Sequence, residues 1–216
     1  GPLRLGVIPT LGPYLMPLIL HPLRERYPEA RLVLRETLTE QLLTQLRRHE
    51  LDAGLIATPV DGDDLLEIPL FDEPFWLAHP LNHPLYEKTE ITGGDLPVDE
   101  LLLLADGHCL TDQVVGVCHL QDRDRHDDLR AASLETLMQL VGAGFGCTLA
   151  PALSIASSWS TDTGVVLREL RMPEARRRIR LVARGTHPSP ASLRALSELV
   201  LVNLPNTVQP VSRNAY

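Results

Sequence analysis

Apolar residues alternate at Leu3, Leu5 and Val7 and give out at Pro9-Thr10, the pattern of a strand running into a turn. From Gly12-Pro13 the spacing becomes helical, with Leu15, Ile19, Leu23 and Tyr27 on one side and Pro28 past the end. Leu32 and Leu34 mark a second strand. Thr39 is placed to cap a helix carrying Leu42, Leu43 and Leu46, and residues 53–57 read as a third strand introduced by Leu51-Asp52. Strand, helix, strand, helix, strand is the order of a parallel doubly wound sheet, which binds ligands in loops at the strand C-terminal ends. Thr10 and Thr39 lie in such loops.

Beyond a polar connection at 60–64, residues 65–70 and 75–78 read as two strands around Asp72-Glu73-Pro74, and 82–97 is rich in turn residues. Residues 101–105 form a buried-type strand that leads into the loop at Asp106. Ser133 caps the clearest helix, carrying Leu134, Leu137, Met138 and Val141 and stopping at Gly142 and Gly144. Strands at 147–150, 165–170 and 179–183 follow, the last two flanking Arg176-Arg177-Arg178, and 192–204 closes the chain as a helix. That helix lacks a partner in the second β/α set, so the second set is expected inside the first. The fold class is α/β with two lobes, each a mainly parallel sheet flanked by helices, joined by two crossover strands. Lobe I is 1–71 with 178–216, and lobe II is 72–177.

Composition changes this picture little. A chain of 216 residues, 44% hydrophobic and 22% charged, can bury a core without disulfide staples. A net charge of −8 and only 4% aromatics argue against this chain itself gripping nucleic acid. No apolar run reaches about 18 residues and no signal peptide is present, so no membrane span and a cytoplasmic location are expected. In a reducing compartment a cysteine pair is more often redox-active or metal-binding than structural.

Candidate chemistry concentrates at 106–119, where Cys109 and Cys118 stand beside His108 and His119. With Thr111 or Asp112 as a helix N-cap, Val114, Val117 and Cys118 share an apolar stripe. Cys109 just ahead of that helix would face the positive end of its dipole, which favours thiolate, while Cys118 stays buried and quiet. If the helix instead covers both, the thiols point to opposite faces, roughly 13 Å apart along the axis. A disulfide needs Cα atoms within about 7 Å, so either way joining them requires the helix to unwind or move. Zinc held by His108, Cys109, Cys118 and His119 lacks the usual Cys-x-x-Cys spacing, and neither a metal nor a cofactor is expected. Cys147 reads as core, His119 and His126 as solvated, and 122–128 as a solvated loop.

Three stretches resemble the effector domain of LysR-type transcriptional regulators: Leu5-Gly-Val-Ile-Pro-Thr10, Leu51-Asp-Ala-Gly-Leu-Ile56, and the run from Ser133 through Gly-Ala-Gly-Phe-Gly-Cys-Thr-Leu-Ala to Pro151. Pro69-Leu-Phe-Asp-Glu-Pro74 and Asp106-Gly-His-Cys-Leu-Thr-Asp-Gln113, with the second cysteine nine positions after the first, are similar to the hydrogen peroxide-sensing members of that family. The resemblance spans about residues 1–205. It implies a periplasmic-binding-protein-like pair of lobes, with DNA bound through an N-terminal winged helix-turn-helix absent from this chain. It further implies that Cys109 is oxidised by peroxide and that Cys118 resolves it to a disulfide which switches conformation and oligomer, activating antioxidant genes. Thr10, Thr39, Gly107 and His108 match residues lining the peroxide pocket. Arg177, with Arg176 as the alternative, matches an arginine that supports the reactive sulfur. Implied partners are a homodimer or homotetramer, RNA polymerase, and glutaredoxin or thioredoxin as reductant. The chain is then not an enzyme; a ligand-binding effector domain and a thiol peroxidase are the competing readings.

Overall fold

A computed structural model describes residues 1–120, 129–156, 164–187 and 189–211. The charged run 121–128, with His126, lies outside the described residues. In chain order the elements are β1 (Leu3–Val7), α1 (Gly12–Arg26), β2 (Leu32–Glu36), α2 (Thr39–Arg47), β3 (Ala53–Ile56), β4 (Leu65–Pro80), β5 (Ile91–Thr92), β6 (Leu103–Leu104), α3 (Cys109–Val117), β7 (Arg130–Ala131), α4 (Leu134–Gly142), β8 (Thr148–Pro151), β9 (Val165–Arg171), β10 (Arg176–Arg184), α5 (Pro190–Val202) and β11 (Gln209–Pro210). The chain folds as two compact units, residues 1–73 with the described residues from 177 onward, and the described residues of 74–176. It passes from one unit to the other within β4 and returns within β10.

In the first unit β1 pairs in parallel with β2 and with β3, and β10 adds antiparallel to β3. The alternation that marked β1 buries Leu5 and Val7 fully. Gly6 keeps this surface flat: a Cβ there would stand 2.7 Å from Leu51 and 3.0 Å from Leu42, so glycine is what lets α2 lie close on the sheet. Leu38, not Thr39, is the N-cap of α2; Thr39 is the first helical residue. Helix α5 begins at Pro190, two residues earlier than its apolar spacing implies, because the Ser189 hydroxyl caps it.

Residues 65–80 form one continuous strand of 16 residues where two were expected. Asp72 and Glu73 do not break it because arginines of neighbouring β10 pair with them: Arg178 Nε donates to Asp72 at 2.8 Å and Arg177 Nε to Glu73 at 2.8 Å.

In the second unit the pairing is mixed rather than mainly parallel. Strand β4 takes β8 and β9 antiparallel, β5 joins β9 in parallel, and β6 pairs in parallel with β7. Only Leu103–Leu104 of the expected 101–105 strand is regular; Leu101 makes an isolated parallel bridge to Cys147. The core gathers Phe75, Leu77, Leu104, Leu137, Met138 and Leu149. Ser133 caps α4 as the sequence implies, its Oγ accepting from Thr136 N. Cys147 is fully buried, as read from its apolar strand. Among the described residues no helix is long and apolar enough to cross a membrane.

Candidate functional site

Helix α3 and the turn before it carry the chemistry. Leaving β6, the chain turns at Gly107, whose φ of +95° lies in the left-handed region that side chains disfavour. His108 then caps α3 in an extended conformation, and Cys109 is the first helical residue. The cap is therefore three residues earlier than Thr111. Thr111 is engaged elsewhere: its buried hydroxyl donates to Leu104 O at 3.1 Å and ties the first turn to β6. Leu110 and Val114 pack against Leu103, Leu104, Leu137 and Leu149 with no room for a water molecule between them.

Cys109 is half-buried in this first turn, where the positive end of the helix dipole favours a negative charge. Its neighbour His108 is 8% exposed, and Nε2 lies 3.0 Å from Ala132 O. A carbonyl only accepts, so Nε2 carries the hydrogen and Nδ1 keeps a lone pair in the neutral ring.

Cys118 is the C-cap of α3 and is 8% exposed. Burial pushes its thiol up to about 11, so it stays protonated at neutral pH. The helix stops there because His119 turns left-handed, with φ +53°. His119 N then donates to Gly116 O at 3.3 Å and Leu120 N to Val115 O at 3.0 Å, the paired bonds of a Schellman stop. His119 is exposed, as expected. None of the three cysteines forms a disulfide. Nine residue steps apart on this helix, Cys109 and Cys118 are separated by roughly 13 Å along the axis. That separation also removes the zinc alternative built on both thiols.

Thr10, Thr39 and Arg177 belong to the first unit. Thr10 and Arg177 are brought together: Arg177 Nη1 donates to Thr10 Oγ1 at 2.7 Å and Nη2 to Thr10 O at 3.0 Å. Thr10 accepts here, so its own hydroxyl hydrogen remains to donate. The strand's period of two separates the arginines. Arg177 points inward at 2% exposure, while Arg176 and Arg178 point outward. Thr39 Oγ1 is buried with no hydrogen-bond partner among the described residues. Sequence reasoning missed Glu73, the fully buried carboxylate that neutralises Arg177. An acid inside the apolar stretch 65–80, with an arginine at an inward position of β10, was the available signal.

The LysR substrate binding domain family matches residues 1–204. The DNA-binding transcriptional dual regulator OxyR of Escherichia coli K12 is 40% identical over 215 residues, covering 100% of this chain and 70% of that protein. Among solved structures, the reduced OxyR regulatory domain from Pseudomonas aeruginosa superposes with TM-score 0.84 at 34% identity, covering 93% of this chain and 97% of that one. A hydrogen peroxide-bound cysteine-to-serine variant of OxyR from Corynebacterium glutamicum superposes with TM-score 0.87 at 34% identity, covering 94% and 64%.

Proposed function

The chain belongs to the LysR substrate-binding domain family, and from that premise we propose that it is the hydrogen peroxide-sensing regulatory domain of a LysR-type transcription regulator. The observation that carries this reading is the arrangement of two unlike thiols on one short helix: Cys109 in the first turn, Cys118 buried at the stop. The likeness to OxyR proteins, one of them a peroxide-bound variant, supports the same reading.

In the mechanism, Cys109 reacts as the thiolate. It attacks one peroxide oxygen, the O–O bond breaks, and the departing hydroxide takes a proton and leaves as water. Cys109 is then a sulfenic acid. The Cys118 sulfur displaces its hydroxyl as a second water, and the two sulfurs join. Two thiols and one peroxide thus yield one disulfide and two waters. Thr10, Thr39, Gly107 and His108 are the proposed peroxide-binding residues. The unpartnered Thr39 hydroxyl and the donor left on Thr10 suit that assignment. Arg177 is the proposed thiolate-stabilising residue, chosen over Arg176 because it is the buried one.

Disulfide formation cannot occur on an intact α3, because roughly 13 Å of helix must shrink to within about 7 Å between Cα atoms. Oxidation therefore melts or displaces the helix. Closing the ten-residue loop constrains the chain by about 3 kcal/mol, enough to move a local two-state equilibrium. The new state alters how copies of the domain assemble as dimers or tetramers. DNA is contacted through a winged helix-turn-helix outside these 216 residues, RNA polymerase is recruited, and antioxidant genes are activated. Reset is by glutaredoxin or thioredoxin in the cytoplasm. The domain reacts once and waits, so it is a sensor and not an enzyme.

The test is peptide mapping and mass spectrometry after brief exposure of the reduced protein to sub-stoichiometric peroxide. The expected product is a Cys109–Cys118 disulfide with Cys147 still a thiol. Peroxide consumption that leaves both thiols intact would refute the reading, and multiple turnovers with a small thiol would favour a peroxidase instead.

A further inference from the structure

Three residues outside the redox helix converge in the second unit. His83 caps the short 3-10 turn Pro84–Glu87, Glu100 ends the 3-10 turn Val98–Glu100, and Cys147 immediately precedes β8. The ligand atoms these three side chains offer all lie within 4.8 Å of one another. We propose that His83, Glu100 and Cys147 form a binding site for Zn2+ or a chemically similar divalent transition ion, with a water or a fourth side chain completing a tetrahedron.

The donor set selects the ion. One sulfur, one imidazole nitrogen and one carboxylate oxygen make a mixed set that suits Zn2+, whereas Mg2+ and Ca2+ take oxygen ligands. The backbone holds two of the donors in place before any ion arrives. Cys147 N donates to Glu100 O at 2.9 Å and Leu102 N to Cys147 O at 2.8 Å, so the two segments are locked together on either side of the cluster. His83 Nε2 already lies 3.2 Å from Glu100 Oε2. Access is from one side: Cys147 is fully buried and the His83 side chain is 9% exposed, while that of Glu100 is 55% exposed.

His79 is packed beside His83. Its ring centroid is 5.4 Å from that of His83, and the residue is fully buried. Nδ1 lies 2.7 Å from Pro80 O and must donate to it, which leaves Nε2 with a lone pair; that nitrogen is buried without a hydrogen-bond partner among the described residues. His79 is not among the side chains whose ligand atoms lie within 4.8 Å of one another, so it stands beside the cluster and is not one of the three ligands.

Binding displaces the Cys147 thiol proton to solvent. It also displaces the hydrogen on His83 Nε2, which moves to Nδ1 at the cost of the 3.2 Å bond that Nδ1 accepts from Leu85 N. The ion then ties 83–85 and the start of β8 to Glu100, nine residues ahead of Cys109 in the chain. None of the three ligands belongs to the redox pair, so the two sites can be tested apart.

The experiment titrates the reduced 216-residue protein with Co2+, then Zn2+. One equivalent of Co2+ should raise a thiolate-to-metal charge-transfer band and tetrahedral d–d bands, and one equivalent of Zn2+ should abolish both. The bands should persist in the Cys109→Ser/Cys118→Ser protein and vanish in Cys147→Ser. Glu100→Gln is exposed enough to fold normally and should weaken Zn2+ binding by about tenfold or more. Absence of a charge-transfer band in the wild type, or a band that follows Cys109 and Cys118 instead of Cys147, overturns the proposal. So does unchanged affinity in Glu100→Gln.

Discussion

Gly116 offers a clean handle on whether α3 must open during sensing. It lies in the last turn of α3, is exposed, and a Cβ built on it meets no heavy atom within 4 Å. Its φ is not among the positive values in the chain. Gly116→Ala should therefore add helix propensity and nothing else, stabilising α3 by about 0.5–1 kcal/mol. If the disulfide requires the helix to unwind, that stabilisation belongs to the reduced form alone. The reduction potential of the Cys109–Cys118 couple should then become less negative by about 10–20 mV, since 1.4 kcal/mol corresponds to about 30 mV for two electrons. If unwinding also precedes the resolving step, disulfide formation after the first oxidation should slow by about two- to fivefold. Redox titration against a glutathione buffer measures the first quantity, and stopped-flow with peroxide followed by acid quench measures the second. A variant that gains stability in urea while its potential and resolving rate stay at wild-type values would show that α3 does not open, and the switch described above would fail with it.

Four further outcomes follow from the same geometry. Cys109→Ser should abolish reaction with low peroxide, whereas Cys118→Ser should consume the first peroxide and stop at a trappable sulfenic acid on Cys109; the reverse pattern would exchange the roles. Native alkylation at pH 7 should be slow at Cys118 and Cys147, with at least about a hundredfold less thiolate than an ordinary cysteine. The same raised values mean that the unfolded chain loses these protons first, so stability contributed by the two buried thiols is intact below an ordinary cysteine's ~8.5 and declines as pH rises toward about 11–12. Chemical denaturation of the Cys118→Ala/Cys147→Ala protein against wild type across that window checks the sign. Finally, Glu73→Gln or Arg177→Ala leaves one buried charge unpaired and should cost about 3–5 kcal/mol, read by urea unfolding; a loss under ~1 kcal/mol would mean the pair is solvated.

Much of this protein is written in local pattern. Period-two alternation placed β1, helical spacing placed α1 and α4, and Ser133 marked the start of α4, because each signal acts within a few residues of where it is read. The nine-residue spacing of Cys109 and Cys118 was equally local, and with it the conclusion that a helix between them keeps the thiols apart. Other features depended on partners distant in sequence. Residues 65–80 stay one strand because Arg177 and Arg178, about a hundred positions later, neutralise Glu73 and Asp72. The cap of α3 moved to His108 because the Thr111 hydroxyl finds Leu104 O and the His108 ring finds Ala132 O. The meeting of His83, Glu100 and Cys147 carries no motif spacing at all, since three segments distant in sequence bring them together. Hydrophobic period and capping are short-range and survive in a linear reading; charge pairing, buried hydrogen bonds and ligand convergence are properties of contacts that exist only once the chain has closed on itself.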